Sequence, residues 1–187
     1  MQKVAIIVTL CMAMSSWGQT LKERELIKQG VADQPMRVLL TTDASDYSIL
    51  RSQTFNVDPT DQDIVLLSKR MFATVTDEKS LGVGIAAPQV GVLARVLWVK
   101  RFDKHEKPFE CYYNLSWKPV SSIYQLGPEG CLSIPDQRGQ VYRHQAIEIT
   151  YQDAQAKQHV EVVSGFTAVI FQHEGDHLIG QLFTDLV

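Results

Sequence analysis

The sequence QHEGDH at residues 172–177 follows an apolar run and comes shortly before Gly180. Glycine in that place is typical of a helix end, because it takes the left-handed backbone conformation at no steric cost. On such a helix His173 and His177 project their imidazoles from one face, about one turn apart. Two neutral ring nitrogens at that spacing can bind one divalent cation, with Glu174 beside it as a non-ligand. The pattern predicts hydrolytic metal chemistry, and a surface helix with two exposed histidines is the plain alternative.

The length and composition are those of one globular domain with its own core. The chain has 187 residues, of which 45% are hydrophobic and 21% charged, and its formal net charge is −3. The basic residues are scattered along the chain, so the sequence carries no electrostatic footprint for nucleic acid. We therefore expect no nucleic-acid partner.

Residues 1–18 have the pattern of a secretory signal peptide. Lys3 is followed by a nearly continuous apolar run over residues 4–13, and the small residues Ser16 and Gly18 precede a suitable cleavage position. The run is too short for a comfortable membrane span, so we expect no transmembrane segment in the mature chain. The pattern predicts export to the periplasm or out of the cell, and a cytoplasmic protein with a buried N-terminal helix is the alternative.

An amphipathic helix is predicted to begin near Asp58. This aspartate is a suitable cap, and Pro59 is a suitable first helical residue. Apolar residues then recur at helical spacing and are expected to face the core, namely Ile64, Leu67, Met71 and Val75. Upstream we expect an N-terminal arm at residues 19–46, and we assign the catalytic domain to residues 47–187.

Five later runs are rich in β-branched and aromatic residues, which is typical of strands. They are residues 95–99, 109–113, 139–142, 146–151 and 159–163. Turn-like segments separate them, among them Gly127-Pro128. One early helix, several strands and one late helix predict an α+β fold, with antiparallel or mixed sheets packed around the C-terminal helix.

Two histidines leave a metal short of a protein ligand, and Cys131 is the favoured third ligand. It lies in PEGCLS at residues 128–133, beside a β run. Its thiolate would complete a tetrahedral site with one position left open. The alternatives are a small buried core residue, which most free cysteines are, or a disulfide with Cys111. A disulfide would exclude this sulfur from a metal site.

A third segment, GVGIAAPQ at residues 82–89, is made almost entirely of small residues. Small residues allow the close approach of another backbone, such as a substrate peptide that pairs as an added strand. The side-chain amide of Gln89 could donate a hydrogen bond to a developing oxyanion. A tight turn filled with small residues explains the segment equally well.

Taken together and in this order, the three segments resemble the motifs of the peptide deformylase family. That family's pattern is G-x-G-hydrophobic-A-A-x-Q, then E-G-C-hydrophobic-S, then Q-H-E-x-D-H, and no defined position differs here. The resemblance covers residues 50–187. It implies the fold of that family and hydrolysis of the N-formyl group from formyl-methionyl peptides, with release of formate and a free amine.

The resemblance also implies a role for individual residues. One divalent metal ion, usually Fe²⁺ in the family with Zn²⁺, Ni²⁺ or Co²⁺ able to replace it, would be held by Cys131, His173 and His177. Glu174 would be the general acid and base, and Gln89 with the Leu132 backbone N–H would form the oxyanion hole. Gly84 belongs with these catalytic residues, and it would also bind the substrate together with Ile85 and Gly130.

Three apolar residues precede His173 on the same predicted helix face, namely Phe166, Val169 and Ile170. They would line an apolar pocket beside the metal, suited to an unbranched side chain such as methionine. Plain core packing is the alternative for each of them.

Two further interpretations concern partners and function class. Many bacterial members of the family continue into a C-terminal helix that serves ribosome association, whereas this chain stops at Val187, so we do not expect that association. A non-catalytic or substrate-divergent extracytoplasmic metal-binding homologue is the alternative to the enzyme, and a general metallopeptidase is a third class.

Overall fold

The computed structural model describes residues 20–80 and 82–187, so the predicted signal peptide at residues 1–18 lies outside the described part of the chain. Within that part there are four α-helices: α1 (Leu21–Lys28), α2 (Ala44–Leu50), α3 (Gln62–Val75) and α4 (Gly165–His177). The strands are β1 (Gly84–Ala86), β2 (Val96–Lys100), β3 (Phe109–Pro119), β4 (Tyr124–Cys131), β5 (Ile134–His144), β6 (Ala146–Gln152) and β7 (Gln158–Ser164). Short 3₁₀ helices cover Ala87–Val90 and Phe183–Asp185. None of the helices in these ranges has the length and apolar character needed to cross a bilayer.

The strands form two antiparallel sheets. The larger sheet has the order β1-β2-β3-β6-β7, and β4 pairs with β5 in the smaller one. Helix α4 buries Ala168 and Phe171 in one cluster with strand residues such as Leu97 and Ile147. The predicted α+β fold around the C-terminal helix is confirmed, and the five predicted runs fall within strands apart from Arg95, which precedes β2.

The predicted turn at Gly127-Pro128 is wrong, because both residues lie inside β4. Gly127 pairs with Val141 of β5, and Pro128 pairs with Gln140. In its sheet β4 has β5 as its single neighbour. Proline is tolerated on such an edge strand, since its missing N–H can face away from the partner.

The N-cap of helix α3 lies three residues later than the predicted cap at Asp58. The N-cap is Asp61, whose carboxylate accepts a hydrogen bond from the Asp63 N–H at 2.8 Å. Asp58 instead accepts from the Thr60 N–H at 2.9 Å and holds the turn ahead of the helix. The predicted core face of α3 is confirmed, because Ile64, Leu67, Met71 and Val75 are all buried.

The predicted N-terminal arm contains α1 and the start of α2. A capping box between Thr20 and Glu23 begins α1, and Ile27 is fully buried in the cluster formed with α3. The Arg70 guanidinium of α3 donates hydrogen bonds to the Leu26 and Ile27 carbonyl oxygens at 3.1 and 2.9 Å. These contacts fix the arm against α3.

The end of α4 is held by a close approach of the chain that follows α2. Gly180 has φ +73°, as predicted, and a Cβ at this position would collide with the Arg51 carbonyl group. Thr54 donates from its N–H and its hydroxyl to the Leu178 carbonyl oxygen, at 3.0 and 2.8 Å. The C-terminal end of α4, which carries His177, therefore has a fixed position.

Candidate metal centre and cleft

The structure brings the three predicted metal ligands together. Cys131 ends β4, while His173 and His177 lie on one face of α4, and their ligand atoms all lie within 4.8 Å of one another. The Cys131 Sγ is 3.3 Å from the His177 Nε2. Both Cys131 and Cys111 are free thiols, so the disulfide alternative does not apply.

This donor set fits a divalent transition metal. Zinc–ligand distances of about 2.3 Å to sulfur and 2.0–2.1 Å to nitrogen place tetrahedral donors about 3.5 Å apart, close to the observed separation of Sγ and Nε2. A thiolate and two imidazoles favour such metals over Mg²⁺ or Ca²⁺, which prefer oxygen ligands. Burial lowers the pKa of His177 well below its ordinary value, which favours the neutral ring that binds metal.

A buried carboxylate orients the first histidine. The Glu129 Oε2 lies 2.8 Å from the His173 Nδ1, so the Nε2 of that ring faces the ligand cluster. Arg143 of β5 donates to both Glu129 carboxylate oxygens, at 2.7 and 3.0 Å, and to the Asp176 Oδ2 at 2.6 Å. Burial alone would raise the pKa of Glu129, but the hydrogen bonds from His173 and Arg143 lower it to about 2. Outer carboxylates of this kind fix the tautomer of a ligand histidine.

Glu174 points into a closely fitted space beside the ligands. Its side chain is buried, with 4% of the residue exposed, and its Oε2 has no hydrogen-bond partner among the described residues. Burial raises the pKa of this carboxyl to about 7. A Cβ on Gly84 would lie 2.5 Å from the Glu174 Oε1, so only glycine at position 84 leaves room for this carboxyl. The structure thus gives Gly84 a steric role that its sequence pattern did not reveal.

Gln89 is fixed with its amide nitrogen toward the cysteine. Its Oε1 accepts a hydrogen bond from the Ala86 N–H at 2.8 Å. This leaves the Nε2 donor 3.5 Å from the Cys131 Sγ and 3.3 Å from the Ser133 Oγ. Leu132 follows the cysteine directly and lines the same cavity, so its backbone is at the site as well.

A cavity of about 820 Å³ opens beside the ligand cluster. Most of the predicted site residues line it, namely Gly84, Gln89, Gly130, Cys131, Leu132, Phe166, Val169, Ile170, His173 and Glu174. His177 lies at its base and is buried. The predicted substrate residue Ile85 does not line the cavity, because adjacent residues of a strand face opposite sides and its side chain lies fully buried in the core.

Sequence reasoning missed four residues around the ligands, one of which is Glu129, bonded to His173. Arg143 and Asp176 complete the buried charge network, and the Phe183 ring lies parallel to the His173 ring with centroids 6.1 Å apart. Glu129 and Asp176 stood inside the quoted motifs, and their defined positions were a usable signal. No local pattern marks Arg143 or Phe183.

Comparison with known proteins gives consistent matches. The model of the family "Polypeptide deformylase" matches residues 37–187. The peptide deformylase of Leptospira biflexa is 35% identical over 147 residues, which are 73% of this chain and 81% of that protein. The peptide deformylase of Synechocystis is 35% identical over 140 residues, which are 74% of each.

Solved structures give the same result. The actinonin-bound class I type b peptide deformylase from Acinetobacter baumannii has a TM-score of 0.72 and 33% identity, covering 82% of this chain and 99% of that one. Peptide deformylase from Thermotoga maritima has a TM-score of 0.73 and 28% identity, covering 82% and 98%. These matches do not favour the alternative of a non-catalytic metal-binding homologue.

The prediction of an exported protein is wrong. The relatives that match most of the chain are ordinary cytoplasmic peptide deformylases, and this finding overturns the expectation of export.

Proposed function

The chain belongs to the peptide deformylase family, and from that premise we propose a role for each side chain around its cleft. It is a metallohydrolase that removes the N-formyl group from formylated peptides. The reaction consumes one water and releases formate and a free amine. The three residues that would hold the divalent ion are Cys131, His173 and His177. When bound, such an ion supplies Lewis-acid chemistry, polarising the formyl carbonyl and lowering the pKa of water.

Glu174 carries the proton in this proposal. It takes a proton from the attacking water and passes it to the departing amine nitrogen, which would otherwise leave as a very poor anion. The observation that carries the proposal is the buried carboxyl beside the ligand cluster, with a free Oε2 and a pKa raised by burial to about 7. A carboxyl with such a pKa both accepts and releases a proton near neutral pH.

Gln89 and Leu132 stabilise the charge that develops on the formyl oxygen. The Gln89 Nε2 is held in place because its Oε1 is already bonded to the Ala86 N–H, so the donor needs no reorganisation during the reaction. The backbone N–H of Leu132, the residue that follows Cys131, supplies the second donor in this proposal. Loss of one such donor typically raises the barrier by about 3–4 kcal/mol.

The first side chain of the peptide lies against the apolar face of α4. Phe166, Val169 and Ile170 line the cavity on the same side as His173, and an unbranched apolar side chain such as methionine fits between them. The peptide backbone runs along Gly84 and Gly130, where the absence of side chains permits close approach.

We assign Fe²⁺ as the bound metal, with Zn²⁺, Ni²⁺ and Co²⁺ able to take its place. One thiolate and two imidazoles suit all four ions, so the donor set alone does not select among them. The assignment follows the family resemblance. Metal analysis of protein purified without oxygen tests it, and about one equivalent of another metal with no iron would refute it.

The direct test of the proposed mechanism is formate release from formyl-Met-Ala-Ser by the purified chain. Substituting Glu174→Gln keeps the shape of the side chain and removes its proton-carrying group, so we expect a kcat lower by about 100-fold or more. Metal content should be unchanged, since Glu174 is not a ligand. Full activity in that variant would remove Glu174 from the mechanism.

A matched control is Glu148→Gln on β6, where a partly exposed glutamate pairs with Lys118 on the protein surface. Exposed pairs of this kind contribute little, so the control should keep wild-type activity. A wild-type protein that binds metal yet releases no formate would overturn the proposed function as a whole.

A further inference from the structure

One face of strand β4 is aimed at helix α4. Residues two apart on a strand face the same side, and two of them on this face contact α4 directly. The Gln125 Nε2 donates to the Gly165 carbonyl oxygen at 3.0 Å, and Glu129 bonds His173 at 2.8 Å. Gly127 lies between them on the same face, so it also faces α4 but has no side chain to fill the space.

The space above Gly127 is a second cavity of about 190 Å³. It is lined by Gln125, Leu126, Gly127, Pro128, Glu129, Val141, Phe166 and Val169. Four of these residues also line the main cleft, namely Pro128, Glu129, Phe166 and Val169. The second cavity, called here the distal recess, therefore adjoins the part of the cleft assigned to the first side chain of the peptide.

The backbone conformation at position 127 does not require glycine. Gly127 is not among the described residues with a left-handed φ, and its cross-strand partner is the β-branched Val141. A Cβ built at position 127 meets no heavy atom within 4 Å. A glycine inside a strand marks a bulge, a bend or the close approach of a ligand or another backbone. Gly127 pairs in regular register with Val141, and the bulge of β4 lies further on, between Glu129 and Cys131.

We propose that the distal recess extends the pocket for the first side chain, so that the enzyme accepts unbranched apolar side chains longer than methionine. This inference rests on the proposed function. The recess is several times larger than the roughly 30 Å³ share of one water molecule, which is room for the terminal methylenes of such a chain. Its walls at Val141, Phe166 and Val169 are apolar, and the Gly127 backbone forms its floor.

The experiment compares two substrates whose unbranched first side chains differ in length, the shorter one containing the thioether sulfur of methionine. They are formyl-Met-Ala-Ser and formyl-2-aminodecanoyl-Ala-Ser, assayed by formate release. The test variant is Gly127→Ile, which fills the recess. The matched control is Val162→Ile on β7, since Val162 is 58% exposed and lines neither cavity.

The wild type should hydrolyse the longer substrate with a kcat/KM within about threefold of that for the methionine substrate. Because one methylene in an apolar pocket changes kcat/KM by about 10–200-fold, Gly127→Ile should lose at least tenfold on the longer substrate. Its loss on the methionine substrate should stay below about threefold. The control should keep the wild-type ratio on both substrates.

Equal losses on both substrates, or an unchanged value on the longer one, would overturn the inference while leaving the proposed function intact. A wild-type enzyme that does not hydrolyse the longer substrate would also overturn the inference and leave the proposed function intact. Absence of formate from the methionine substrate would instead refute the proposed function, and the inference with it. Thermal unfolding shows whether Gly127→Ile is folded. If Gly127→Ile does not fold, the same losses are expected for Gly127→Val, which has a smaller side chain.

Discussion

Replacing Gly84 with alanine tests whether the position of the Glu174 carboxyl controls the reaction. The added Cβ would lie 2.5 Å from the Glu174 Oε1 and 2.9 Å from both its Cδ and Cγ. Ordinary contacts begin at about 3.4 Å, so the carboxyl or strand β1 must move by about 0.9 Å. A misplacement of about 1 Å at a reacting group can cost about 100-fold in rate.

We therefore expect Gly84→Ala to lower the kcat for formyl-Met-Ala-Ser by about 100-fold, with metal content close to one equivalent. The ligand atoms belong to other residues, so the metal should stay bound. The assay is formate release at saturating substrate, with metal analysis of the same sample. Overpacking should also destabilise the fold by about 1–3 kcal/mol, which urea unfolding measures.

A double substitution separates this mechanism from general damage. If Gly84→Ala acts through Glu174, adding it to Glu174→Gln should lower the kcat little further, because two changes that remove one function are not additive. If the kcat of the double variant falls by the product of the two single losses, Gly84→Ala does not act through Glu174. A Gly84→Ala enzyme with wild-type kcat would refute the prediction as well.

Three other substitutions test the surroundings of the site. Glu129→Gln removes the carboxylate bonded to His173 and should weaken metal binding by about 10–100-fold; an unchanged affinity in a metal titration would contradict this. Gly175→Ala places a Cβ 2.8 Å from the Trp117 Nε1 and should lower the free energy of unfolding in urea by about 1–3 kcal/mol. An unchanged free energy of unfolding would mean that the indole moves aside freely. Arg101→Met removes a buried guanidinium that pairs with three carboxylates, each about one-third exposed, namely those of Asp103, Glu110 and Glu161. We expect the free energy of unfolding to fall by about 2–3 kcal/mol; the loss stays moderate because the partly exposed carboxylates can be rehydrated by water. A thermal midpoint equal to that of the wild type would contradict this expectation.

The strands and the metal helix follow from local sequence patterns. Runs rich in β-branched and aromatic residues in β2, β6 and β7 needed no tertiary information, and the spacing of His173 and His177 defines a helix face by itself. These two features depend on residues close to one another in sequence. Cys131 was found because two histidines leave a metal short of a protein ligand, and the ordered motifs gave the same residue.

The features that sequence reasoning missed depend on pairing across the fold. Arg143 reaches Glu129 and Asp176 because β4 and β5 pair in one register, which no local pattern specifies. The place of Gly127-Pro128 inside a strand has the same origin. The side chain of Ile85 faces the core and not the cavity, because the motif indicates the neighbourhood of this residue but not the side of β1 on which it lies.

The central claim is that one cation is held by one sulfur and two imidazoles. X-ray absorption spectroscopy of the metal-loaded protein tests it most directly. In the zinc-loaded protein we expect a single sulfur neighbour at about 2.3 Å together with nitrogen neighbours at about 2.0–2.1 Å. In Cys131→Ser the sulfur signal should disappear. A wild-type spectrum without sulfur, or a sulfur signal that persists in Cys131→Ser, would contradict the claim.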